Sequence, residues 1–169
     1  MKKTMLLGLS AIMLSPAAAL AADKPAAAPI AIPAPKPGMG QIVFFRPGGM
    51  GAAIKCTVRE NGKMIGRVHG NRYFVVDAAP GVHTFTAKSE ATDAVTVQVE
   101  PDETGFVKCK IAMGMMVGRP NLSPATEQDF TQVSAKMQPM DAAKLAAEIA
   151  KDESTLAADS AKDSNGAAE

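Results

Sequence analysis

The sequence predicts an all-β fold: an antiparallel β-sandwich of about seven strands in immunoglobulin-like or prealbumin-like style, with a C-terminal helix and disordered ends. Three observations predict it. Short runs of alternating apolar and polar residues recur between Gln41 and Met113, separated by Gly, Pro and Asn turn signals. Six of the seven aromatic residues fall between Phe44 and Phe106, so the material for a core lies in the same stretch. Both cysteines, Cys56 and Cys109, fall in alternating runs, each in phase with apolar neighbours.

Residues 1–21 read as a secretory signal peptide. Lys2 and Lys3 give the positive start, Met5 to Leu14 the apolar run, and Ala19-Leu20-Ala21 a small-x-small cleavage site. As a helix that run covers only about 15 Å, roughly half a bilayer core, so it is too short for a stable span. Residues 22–40 hold five of the 12 prolines among alanines and are expected to be an extended spacer. The β-sandwich domain is assigned to residues 41–136. Its strands are expected at 41–46, 53–60, 63–68, 72–77, 82–88, 94–100 and 105–113. Asn61-Gly62 marks a two-residue hairpin between the second and third. Ala78–Gly81 and Pro101–Thr104 make further tight connections. Asp129 to Ser134 reads as one last short strand. Residues 137–152 are assigned a helix capped by Asp141, with Ala142, Leu145, Ala146 and Ile149 on one side. Residues 153–169, small and of mixed charge, read as a disordered tail.

Eighteen Lys and Arg against 17 Asp and Glu leave a formal charge of +1. That balance argues against a nucleic-acid partner, which selects a basic surface. With no Trp and one Tyr, aromatic platforms for sugars or bases are not expected either. Export predicts a soluble mature protein, periplasmic or secreted after cleavage near Ala21, with no transmembrane segment. In that oxidising setting the preferred reading of Cys56 and Cys109 is a buried disulfide, with two separate buried thiols as the alternative. A redox-active pair is disfavoured because no CxxC spacing occurs.

Catalytic motifs are absent: no HExxH, GxSxG, P-loop or dinucleotide fingerprint. Glu100, Asp102 and Glu103 crowd one polar turn, where charges are normally only solvated. His83 follows Pro80-Gly81-Val82, with Asp77 across the same short loop. The expectation is a hydrogen bond between Asp77 and His83 that fixes the turn. Eleven methionines include Met113, Met115 and Met116 in one stretch and Met50 in a glycine-rich loop. Thioethers suit Cu(I), so these three residues are the alternative metal site; gap-filling is the ordinary role of methionine. Arg46-Pro47 and Arg119-Pro120 both follow candidate strands. If those strand ends meet they form a small basic patch, and the surface assigned to partner binding is the loop end with Arg46, Met50, Met115 and Arg119.

Several short segments recur in a familiar order: Phe44-Phe45-Arg46-Pro47, Asn61-Gly62-Lys63, Tyr73-Phe74-Val75-Val76-Asp77, Pro80-Gly81-Val82-His83-Thr84 and Val117-Gly118-Arg119-Pro120. Their order and spacing over about residues 40–120 resembles the bacterial domain of unknown function 2846, found in exported proteins and lipoproteins. The resemblance implies a small all-β envelope module and brings no catalytic residue or cofactor with it. This chain lacks the anchoring cysteine of the lipoprotein members. The function expected is non-catalytic: binding or organising another cell-envelope component, a protein or part of the cell wall. Small-ligand or Cu(I) binding is the alternative, and an enzyme built around His83 a third possibility.

Overall fold

The computed structural model describes residues 28–49, 51, 53–88, 92–113 and 118–166. In chain order the elements are β1 (Gly40–Arg46), β2 (Cys56–Glu60), β3 (Lys63–Val68), β4 (Arg72–Ala78), β5 (Gly81–Lys88), β6 (Thr92–Val99), β7 (Thr104–Met113), β8 (Gly118–Ala125), α1 (Glu127–Ser134), β9 (Gln138–Pro139) and α2 (Ala142–Gly166). They form two sheets, one ordered β8-β7-β1-β4-β9 and the other β3-β2-β5-β6. The β-sandwich expected from the alternating runs is present, and Cys56 on β2 is bonded to Cys109 on β7, across the two sheets.

Both hairpins and sheet-to-sheet corners connect the strands. Asn61 (φ 50°) and Gly62 (φ 81°) both take positive φ, the two-residue turn that matches the twist of β2 and β3. The link from β4 to β5 at Ala79-Pro80 instead carries the chain from one sheet to the other. Between the sheets, Phe44 stacks on Phe74 at 5.1 Å and meets Phe85 edge-on at 5.0 Å. Ile42, Val58, Val68, Val107 and the disulfide fill the rest of this core. β1 is buried at every residue, which explains its unbroken apolar sequence. Ile42 and Phe44 face the other sheet, while Val43 and Phe45 face a second, smaller core under α1.

The strands number nine among the described residues rather than seven, and their pairing is mixed. β1 pairs in parallel with β7, and β4 with β9. The long excursion through the second sheet between β1 and β7 gives the chain room for a parallel partner. β8 escapes sequence recognition because Pro120 and Pro124 interrupt it. It lies at the edge of its sheet, where a missing N–H costs little. The opposite side of β8 is tied to β6, where the Asp93 carboxylate accepts from the Leu122 N–H and from Asn121 Nδ2.

The segment expected as a last strand, Asp129 to Ser134, is helical. Thr126 and Asp129 form a reciprocal capping box at the start of α1. Phe130 then packs against Phe45, Tyr73 and Phe106. The spacer is likewise not free of the domain over its described part. Ile30 and Ile32 lie against the second core. The Ile30 N–H donates to Ser134 Oγ at 3.0 Å, and Gln41 Nε2 donates to the Pro33 carbonyl at 2.6 Å. Asp141 caps α2 as expected, accepting from the Lys144 N–H at 2.8 Å. The helix does not stop near Lys151 or give way to a disordered tail but continues to Gly166, in keeping with its alanine-rich sequence. Its first half is held on the second sheet by Arg59–Asp152, Lys55–Glu148 and Arg67–Glu148 ion pairs. No helix among the described residues is long and apolar enough to cross a membrane.

Candidate functional site

Arg46, Met113, Arg119 and His83 lie near strand ends of the sandwich. At one end, Arg46 continues the inward phase of Ile42 and Phe44. It is 2% exposed, so its guanidinium is a clasp and not a surface group. Nη1 donates to the Ile54 carbonyl at 2.8 Å and Nη2 to the Gly51 carbonyl at 2.6 Å. These bonds hold Gly51 and Ile54 to the end of β1, and burial lowers the pKa of the group. The expected basic patch is therefore corrected. Arg119 stands half-buried on β8 opposite Ala112. Phe45 pairs with Lys108, so the two arginines sit on strands separated by β7 and offset along it. Met113, at the end of β7, is 82% exposed. Met50, Met115 and Met116 lie outside the described residues. Among the described residues no group of three or more His, Cys, Asp or Glu is arranged to hold a metal ion.

Elsewhere along the sandwich margin, the two-residue period of β5 places His83 in the column of Ala87 and Phe85, so its ring looks into the gap between the sheets. The expected partner was Asp77; the observed partners are Glu60 and Ala79. His83 Nδ1 lies 2.6 Å from Glu60 Oε1, and Nε2 lies 2.8 Å from the Ala79 carbonyl oxygen. Asp77 pairs instead with Lys36 of the N-terminal segment. Both ring nitrogens face acceptors, and only the imidazolium has two N–H groups to offer them. The Glu60 hydrogen bond accordingly raises the His83 pKa, against the opposing effect of burial, with help from the Ala79 carbonyl and the Glu60 charge. The ring stacks parallel to Phe85 at 6.0 Å, and the group borders a cleft of about 400 Å³ floored by Val76, Ala78 and Phe85.

This arrangement limits the chemistry open to His83. While protonated and bonded through both nitrogens, the ring has no lone pair to accept a substrate proton or ligate a metal. It fixes the corner between β4 and β5 to the end of β2. Within the acidic turn Asp102 is structural: in the left-handed region at φ 59°, it accepts from the Gly38 N–H at 2.9 Å. His69, at the β3–β4 connection, has a lowered pKa from burial and from Arg72, Lys55 and Arg46, with Glu148 opposing. Sequence reasoning did not find Glu60, because it lies 23 residues from His83 and the two meet through the pairing of β2 with β5.

Neither the curated proteins nor the solved structures include a match to this chain. A family model described as "Protein of unknown function (DUF2846)" matches residues 36–120, which run from Lys36 through all of β1 to β7 and into β8. The chain belongs to that family.

Proposed function

We propose that this protein is an exported, non-catalytic β-sandwich module that binds or organises another component of the cell envelope. The observation that carries the reading is the use of its polar groups. Arg46 and His83, the side chains with most chemical potential, are both hydrogen-bonded to the protein's own backbone. They stabilise the scaffold, and contact with a partner falls to the exposed loop ends. Met113, projecting from the end of β7 with Arg119 near it on β8, is the favoured contact region. The signal-like residues 1–21 and the buried inter-sheet disulfide support an oxidising, extracytoplasmic location. The two face-to-face sheets support the immunoglobulin-like or prealbumin-like comparison.

A photo-crosslinking residue placed at Met113 and, in a second variant, at Thr96 on the outer face of β6 tests the reading in intact cells. The expected result is a discrete adduct from position 113 that unlabelled protein competes away, absent from position 96. Export is checked in the same cells by osmotic-shock release and N-terminal sequencing of the mature chain. Equal, non-competable adducts at both positions refute a specific partner at the hairpin end.

A further inference from the structure

A second cleft, of about 550 Å³, lies between the N-terminal segment, the start of β7 and α1. It falls within the range of about 300–1,000 Å³ typical of ligand sites. Its apolar lining comes from Phe106 and Phe130, whose rings are 5.7 Å apart, and from Ile30 and Ile32 of the N-terminal segment, which runs past this face as a strap. Glu103 and Glu127 also line it, at the end where β7 begins and β8 finishes, and no basic residue does. Neither of these carboxylates takes part in an ion pair or side-chain hydrogen bond among the described residues. The neighbouring Asp129, by contrast, is paired with Lys108. The strap wall is extended chain, and Ala31, exposed at its centre, has no backbone hydrogen-bond partner among the described residues.

Resting on the binding role proposed above, we infer that this cleft docks an extended peptide segment of another envelope protein, with an apolar side chain next to basic residues. The apolar side chain enters the cleft beside the half-buried strap isoleucines, above Phe106 and Phe130, where it leaves water. The basic residue reaches Glu103 and Glu127, carboxylates with no cation of their own. Extended backbone beside Ala31 gains the peptide hydrogen bonds that a compact amine could not make, which is the strand-addition mode of recognition.

The test uses the full mature chain and a fluorescein-labelled hexapeptide that alternates leucine and alanine over four residues and ends in two lysines. Fluorescence anisotropy is expected to show saturable binding. Glu103→Lys with Glu127→Lys is expected to weaken it at least tenfold and to gain affinity for the same peptide ending in two glutamates. Thr131→Trp, which fills the cleft from α1, is expected to weaken both. Circular dichroism and an intact disulfide establish that each variant is folded. Binding that ignores both the charge reversal and Thr131→Trp overturns the assignment, as does no binding at millimolar peptide. Complete displacement by hexylamine at equal affinity overturns the peptide commitment in favour of a small cationic amphiphile. Any of these results combined with a specific Met113 crosslink removes the cleft alone, whereas loss of that crosslink removes the broader binding role.

Discussion

His83 is predicted to make the protein less stable as pH rises through the neutral range. Its two ring nitrogens face Glu60 and Ala79, so folding selects the protonated ring and the folded pKa lies above the unfolded value of about 6.5. The native state therefore holds a proton that the unfolded chain releases. The stabilisation is complete below about pH 6.5 and disappears as pH climbs through the raised folded pKa. A hydrogen bond to a charged group contributes about 1.5–3 kcal/mol. The His83 and Glu60 side chains are 18% and 27% exposed, so solvent screens the pair and the lower end, about 1.5 kcal/mol, is the expected size. Asp77 borders the same cleft but is offset by Lys36.

The measurement is a set of urea unfolding curves between about pH 5.5 and 9, spanning the ordinary histidine range. Urea is preferred because guanidinium would screen the ion pair. Wild type is expected to lose about 1.5 kcal/mol more than His83→Gln over that range. In a Glu60→Gln background most of the difference should vanish, since the carboxylate that favours the charged ring is gone. Parallel stability profiles for wild type and His83→Gln would refute the reasoning. They would mean that folding does not discriminate between the two forms of the ring.

Removing the disulfide with Cys56→Ala and Cys109→Ala, 53 residues apart, is expected to cost on the order of 4 kcal/mol in the chain-entropy account. A thiol assay of the denatured, unreduced protein should find no free sulfhydryl, and two would contradict the bond. Gly66→Ala places a Cβ 2.3 Å from the Phe74 ring, which stacks on Phe44. The displacement should cost about 1–3 kcal/mol, and unchanged thermal stability would argue against so close an approach of β3 to β4. Asp129, at the start of α1, has its pKa lowered to about 2 by the Thr126 N–H, then the Thr126 hydroxyl and Lys108. Its contribution is thus present above the ordinary carboxylate pKa and is lost as pH falls through about 2. Carboxyl NMR titration should show this, with Thr126→Ala, which removes the hydroxyl but keeps the N–H, moving the midpoint part of the way upward; an unmoved midpoint would rule out the hydroxyl's share.

How far the fold could be read depended on whether a residue's environment is set by its near neighbours. Alternation in β2, β5 and β7 and the Asn61-Gly62 turn are local signals, and they placed both cysteines facing inward. β8 was obscured because proline penalises strands in general, while tolerance at an edge depends on a neighbour chosen by the whole sheet. α1 spans only eight residues, too few for periodicity to stand out, although Thr126 and Asp129 carry a readable capping signal. Arg46 and His83 were noticed as residues, but their roles depend on partners. The first is held by the Gly51 and Ile54 carbonyls, the second by Glu60 on a strand that pairs with its own. The docking of Ile30 and Ile32 was missed because an alanine- and proline-rich segment gives no core signal, yet it needs few backbone partners to lie on a surface.

The family match stops within β8, at Pro120, and the packing on the far side of that boundary explains why the chain continues. Val43, Phe45 and Phe106 belong to matched strands but face away from the other sheet. An outer sheet face carrying two phenylalanines and a valine needs a cover. Phe130 and Val133 of α1, Met137 and the strap isoleucines provide it, all from outside the matched residues. The inner core is thus built mostly by the matched strands, with Leu122, Met140 and Leu145 added from beyond the match, whereas the second core depends on the flanks for Phe130, Met137 and the strap isoleucines. The proposed peptide cleft lies at that junction: Phe106 belongs to the matched part, while Phe130, Glu127 and the strap do not. A relative with the same strands but different flanks would keep the scaffold and the apolar sheet face, and cover that face differently. Partner choice would then follow the flanks while the two stacked sheets stay constant.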